Sequence, residues 1–280
     1  MKEKLLTKKE TINFLDIPKE NFENYHKKSE EIKGIKIKNR WHFDKDLLKK
    51  WNELRKKRTV IIPHLIYEKC FEFAIKMTYS GKAKGGSIRG ARSEMQMADD
   101  FILGILAEYG LKIFLRDKFN LDVGLDEDVH PSEITPQDIV KVCKNNKWVD
   151  PKLNIGIKAS KLKNCYLVLG ENEYEKSERK SDIYIFVRLN LPSDHLFRIL
   201  REHSFFKKVK NWLDQKDHPF RKIEELKNIE TWICGFSFHK ELEKVKEIPG
   251  QKFDEGYRYV KSVSNMRNED KDWEELIKIL

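Results

Sequence analysis

The chain has 280 residues, with 56 Lys+Arg against 46 Asp+Glu, a formal net charge of +10. No apolar run approaches the roughly 20 residues that a membrane-spanning helix needs. With 39% hydrophobic and 11% aromatic residues the chain is too apolar to stay disordered, and at about 100–200 residues per domain it fits one large or two unequal domains.

The start, Met1-Lys2-Glu3-Lys4, has no apolar stretch of the kind a secretory leader carries. Cys70, Cys143, Cys165 and Cys234 lie far apart without a CxxC pair, so a zinc site of the usual spacing is not expected. Reduced thiols and a cytoplasmic location are the expectation. Abundant Lys, Glu and Ile with only four Gln lean towards a thermophilic source. Neither GxSxG nor GxxxxGK[ST] occurs, so this chain is not read as a serine hydrolase of that kind or as an ATPase.

The charge is uneven. Residues 1–58 hold 18 Lys+Arg and 10 Asp+Glu, a net +8, while the other 222 residues hold 38 and 36. A small module with that surplus suits a phosphate backbone; a Lys-rich solubilising surface is the plainer alternative. Thr7-Lys8-Lys9-Glu10 has the pattern of a capping box, which predicts a short helix through Ile12 and Leu15. A second helix is expected from Pro18 to about Ser29. Alternating apolar residues on both sides of Asn39-Arg40 predict a β-hairpin over 35–43, and Asp44 is placed to cap a helix with Leu47, Leu48, Trp51 and Leu54 on its apolar face.

That order, in "LTKKETINFLDIPKENFENY" and "GIKIKNRWHFDKDLLKKW", resembles the excisionase/MerR-type winged helix-turn-helix. The resemblance implies a DNA-binding domain over residues 1–58. Its second helix would present Asn21, Asn24, Tyr25, Lys27 and Lys28 to the major groove, and its wing would offer Lys38, Asn39 and Arg40 to backbone or minor groove.

In the remainder, residues 59–280, a helix is expected from Pro63 to about residue 80. The basic, glycine-rich "GKAKGGSIRGAR", with Arg89 and Arg92, is either a strap over DNA phosphates or a linker. A long helix follows from Ser93 to about Phe119, and "LDVGLDEDVHPSEI" reads as a surface loop. "DIVKV" (138–142) and the stretch 148–160 are expected as a hairpin around "CKNNK". Further strands are expected at 165–170, 182–191 and 231–238, with "ENEYEKSERK" as a polar connection. Helical segments are expected over 194–230 and at the C-terminus. Helix, then mixed sheet, then helices predicts an α/β (α+β) class.

By the two-residue period of a strand, Asn154, Gly156 and Lys158 share a face, and Asp138 opens the neighbouring strand. "PQD" (136–138) and "IGIKAS" (155–160) resemble the core of the PD-(D/E)xK nucleases, where an Asp starts one strand and a (D/E)-x-K triplet sits on the next. "ADDFILGILAEY" (98–109) resembles the helix that supplies an extra Glu in many such enzymes, with Glu108 as the match. Together with "SDIYIFVRLNLP" and "IPGQKFDEGYRYV" these segments are similar to a type II restriction endonuclease. The resemblance implies a mixed sheet flanked by helices, catalytic Asp138, Lys158 and Glu108, and Mg²⁺ held by Asp138 and Glu108. It also implies double-stranded DNA as substrate, a homodimer and a cognate DNA methyltransferase as functional partner. The triplet acid is Gly156 here, a departure that leaves one metal ligand to come from elsewhere, with Glu108 or Asn154 as candidates. Asp99 and Asp100 read as surface charges. Two other functions fit the same residues: a winged-helix transcription regulator without catalysis, and a repair or junction nuclease of the same superfamily.

Overall fold

The computed structural model describes residues 5–79, 93–126, 137–176, 180–214, 223–253 and 256–280. At the N-terminus a short strand, β1 (Leu5–Thr7), precedes α1 (Lys8–Leu15). The capping box forms: Thr7 Oγ1 accepts from the Glu10 N–H, and the Glu10 carboxylate accepts from the Thr7 N–H. Next come α2 (Lys19–Lys27) and a hairpin of β2 (Ile35–Ile37) and β3 (Arg40–Asp44). The hairpin turns on Lys38 and Asn39, both left-handed at φ 46° and 61°, the backbone that a tight two-residue turn demands. Asp44 Oδ1 accepts from the N–H groups of Asp46 and Leu47 and so caps α3 (Lys45–Lys57).

The chain then runs at once into β4 (Thr59–Ile62), four β-branched residues that form a strand not among those expected. It continues through α4 (His64–Tyr79), α5 (Glu94–Phe119), β5 (Val123–Leu125), β6 (Ile139–Lys144), β7 (Lys147–Val149) and β8 (Ile155–Lys161). After these come β9 (Tyr166–Gly170), α6 (Glu171–Glu175), β10 (Ile183–Leu189), α7 (His195–Ile199), α8 (Ser204–Asp214) and β11 (Ile229–Phe238). The last elements are β12 (Glu243–Val245), β13 (Glu247–Ile248), β14 (Gln251–Lys252), β15 (Arg258–Ser262) and α9 (Asp270–Ile279). Helices and strands interleave along the chain, an α+β arrangement in which the described sheets are antiparallel apart from the parallel β8–β10 pair.

Three expectations need correction. The helical reading of 194–230 fails at its end, where 223–228 are not helical and Ile229 opens β11. The start of the supposed acidic loop is a strand, since β5 pairs antiparallel with β6. The expected hairpin turns where predicted, at Asn145 and Asn146, both at positive φ, but its return is only β7. Pro151 lacks the N–H that a ladder requires, and β8 begins afresh at Ile155. It joins the central sheet, ordered β4-β11-β10-β8, where it runs parallel to β10. One hydrogen bond still ties the two segments, from Asp138 N–H to Ile155 O at 2.9 Å.

Strand β10 explains the layering. Its sequence Ile-Tyr-Ile-Phe-Val-Arg-Leu is buried throughout, so both faces of the sheet are covered. Ile183, Ile185, Val187 and Leu189 face one core, with Ile155 and Ile157 of β8 and the apolar side of α5. Tyr184 and Phe186 face a second core, which Phe22, Tyr25, Phe43 and Leu48 of the N-terminal segment complete. Arg188 is the polar exception on that face and is fully buried.

Candidate active site

The parallel pairing of β8 and β10 sets Gly156 beside Tyr184, Lys158 beside Phe186 and Ser160 beside Arg188. Lys158 therefore stands on the sheet face that the N-terminal segment covers, and α5 lies across the opposite face. Asp138 sits at the free edge of β8, where its carboxylate accepts the Ile157 N–H at 2.5 Å. The edge strand would otherwise leave that donor unpaired, so the interaction fixes the carboxylate one residue from Lys158.

Lys158 Nζ pairs with Glu173 of α6 at 2.5 Å, and the two side chains remain 31% and 29% exposed, so the group is reachable from solvent. Desolvation raises the Asp138 pKa above the ordinary carboxylate value against the opposing pull of Lys158 and the Ile157 N–H; Glu173 and Asp126 push it further up. Burial pulls the Lys158 ammonium down, but Glu173 and Asp138 outweigh it, and the lysine stays protonated. Among the described residues, Glu173 and Asp138 are the carboxylates that act most on the Lys158 ammonium.

Glu173 comes from a helix of only five residues, held by rings and not by caps. The Tyr174 ring stacks between His239 and Tyr259, with centroids 3.7 and 3.5 Å away. The Glu175 carboxylate accepts from Tyr259 Oη and Lys244 Nζ at 2.6 and 3.1 Å. By sequence this segment reads as a polar connection. Its one signal was a run of acids directly after a strand end.

Gly156, where the family pattern has an acid, is filled from outside. A Cβ there would lie 2.6 Å from Ser181 Oγ and 3.2 Å from Tyr184 Cδ1, so a side chain at 156 has to displace a buried serine. Asn154 is engaged through its backbone, whose N–H donates to Asp182 Oδ2. Glu108 is half-buried on α5, the helix of the opposite face, and the charges acting most on Asp138 are Lys158, Glu173 and Asp126. The structure therefore brings Asp138 and Lys158 together, adds Glu173, and sets Glu108 across the sheet. Among the described residues no group of three or more His, Cys, Asp or Glu is arranged to hold a metal.

A second ionisable cluster lies on the other face. Asp99, read from sequence as a surface charge, accepts from His195 Nε2 at 2.6 Å and pairs with Lys161 Nζ at 3.5 Å. His195 Nδ1 in turn takes a hydrogen bond from the Tyr67 hydroxyl. Tyr67 and His195 are buried. The His195 hydrogen bond holds Asp99 below the ordinary carboxylate range.

The residues expected to meet DNA divide. Lys27, Lys28, Lys38, Asn39 and Arg40 are exposed, and Asn24 is partly so. Asn21 and Tyr25 face inward: Tyr25 is 2% exposed and its hydroxyl donates to Leu162 O at 2.6 Å. An amphipathic helix offers only one face, and this one spends Phe22 and Tyr25 on packing. Arg89 and Arg92 lie outside the described residues. No helix among the described residues is long and apolar enough to cross a membrane.

Comparison with family models, with curated proteins and with solved structures gives no match to this chain.

Proposed function

We propose that this chain is a Mg²⁺-dependent endonuclease of the type II restriction class, which hydrolyses phosphodiesters in double-stranded DNA at a specific sequence. The observation that carries the reading is the meeting of Asp138 and Lys158, twenty residues apart in sequence, at the edge of one strand of a mixed sheet flanked by helices. Chains that assemble as homodimers and are paired with a protecting methyltransferase fit the same reading.

The donor set fits the metal. Asp138 and Glu173 are hard oxygen ligands, and Mg²⁺ takes one or two carboxylates together with water and a phosphate oxygen. A bound Mg²⁺ supplies an acidified water and offsets charge on the scissile phosphate. Asp138 and Glu173 would hold the ion, and Glu173 would release Lys158 as it does so. Lys158, protonated, donates to the oxygens on which charge develops. A preorganised donor of this kind lowers a barrier by about 3 kcal/mol.

Plasmid and phage DNA incubated with the protein and Mg²⁺ should yield discrete fragments. Intact DNA with both Mg²⁺ and Mn²⁺ at all temperatures would count against the proposal, and cutting confined to branched DNA would favour the repair or junction nuclease. The exposed wing residues Lys38, Asn39 and Arg40 also suit a regulator, which would bind DNA with or without metal and leave it whole.

A further inference from the structure

A cleft of about 630 Å³ opens at the end of α2, and neither Asp138 nor Lys158 lines it. Its size is that of sites that take small molecules, roughly 300–1,000 Å³. Helix α3 lines it with Leu47, Trp51 and Arg55, and β11 with Trp232. The two indole rings stand edge to face, with centroids 5.7 Å apart and planes at 88°, and so form an aromatic corner. Two donors at this corner lack acceptors among the described residues. One is the indole N–H of Trp232, a residue only 4% exposed. The other is the buried Nε–H of Arg55, whose guanidinium lies 5.7 Å from the Trp51 ring. Buried polar groups in folded proteins nearly always have partners, and neither of these groups can itself accept. The corner is thus short of acceptors.

Lys27, Lys28 and Lys33 also line the cleft. The acids there are mostly engaged. Glu31 holds Arg188, and Asp272 accepts the N–H groups of Asn268 and Glu269. The Glu269 side chain accepts from the backbone of α9 as part of its capping box. Glu30 remains, against Lys28, Lys33, Arg55 and a Lys27 that shares Glu23 with Lys8. The balance of charge favours an anion.

A flat aromatic face, donors in want of acceptors and a cationic rim together match a nucleotide. A base offers a π-face and acceptor edges, and its phosphate supplies the negative charge. Lys27 and Lys28 are exposed at the end of the helix that the endonuclease reading lays on DNA. Resting on that reading, we infer that the cleft takes a single nucleotide out of the double helix, its base in the Trp51–Trp232 corner and its phosphate at Arg55 and the lysines. Unpairing and unstacking the base costs free energy, which stacking on an indole offsets. The cleft thereby tests one base of the site apart from the groove contacts of α2 and the wing.

The test measures binding by the full-length protein, without divalent metal, to duplexes selected for affinity from a random library. A single mismatch is then stepped along the selected duplex. A base that is already unpaired is cheaper to extrude, so one position is expected at which a mismatch tightens binding about 10-fold or more. Trp51→Leu should abolish that gain. Arg55→Gln, which removes no ring from the packing, should reduce it and serves if Trp51→Leu fails to fold. No favoured position, or a gain that either folded variant leaves undiminished, overturns the inference. So does tight binding of free deoxynucleotides with no favoured mismatch, which would make the cleft a site for a free nucleotide. Specific cutting with no favoured mismatch leaves the endonuclease reading intact and removes this inference. A favoured mismatch in a protein that never cuts DNA does the reverse.

Discussion

Strand β8 carries an ionisable cluster on each face, and the two are built differently. On the α5 face, Lys161, Asp99, His195 and Tyr67 form a closed chain in which each acceptor meets a donor, and the chain ends in a buried phenol. On the other face the Lys158 ammonium stands between Asp138 and Glu173, and its pair with Glu173 is about a third exposed. Buried polar groups that satisfy one another fix a fold. A buried carboxyl raised in pKa beside a reachable ion pair is a costly thing to keep, and a cation with its anionic substrate accounts for it. The same lysine type, three residues apart, thus serves structure on one side and chemistry on the other.

Substituting the two lysines alike is the strongest way to break this contrast. Lys158→Met should reduce cleavage by about 100-fold or more while DNA binding persists, and Lys161→Met should cut at nearly the wild-type rate. Equal losses, measured in single-turnover assays, would erase the distinction. Tyr67→Phe comes next. It leaves His195 Nδ1 without its buried partner and should cost about 1–3 kcal/mol in urea unfolding with cleavage unchanged at moderate temperature. The smallest effect is expected from Asp138→Asn. A carboxyl whose folded pKa lies above its unfolded value adds stability below the unfolded value, and that contribution is lost as pH rises through the folded value. At neutral pH Asp138 therefore burdens the metal-free fold, and Asp138→Asn should raise its melting temperature slightly, with the advantage disappearing in acid. A lower melting temperature at pH 7 would mean that the carboxylate supports the fold.

Much of this was legible in the sequence because the signals are local. The Thr7–Glu10 box, the turns at Lys38-Asn39 and Asn145-Asn146, and the shared face of Gly156 and Lys158 each depend on neighbours within a few residues. That Asp138 and Lys158 act on one another was expected only from the family resemblance, and they do so although the strands do not form the expected hairpin. Glu173 was not, because its place depends on Tyr174 being stacked by rings 65 and 85 positions away in the chain. Asp99 looked like a surface charge because its partner, His195, is 96 residues distant. Likewise the pattern of α2 shows an apolar face but not that the central sheet would claim Tyr25.

The central claim is that Asp138 and Lys158 belong to a metal-dependent cutting site, and Asp138→Ala tests it most directly. DNA affinity measured without divalent metal should match the wild type, and added Mg²⁺ should yield no fragments, while the wild type cuts to completion. Cleavage by Asp138→Ala at the wild-type rate and Mg²⁺ requirement would contradict the account.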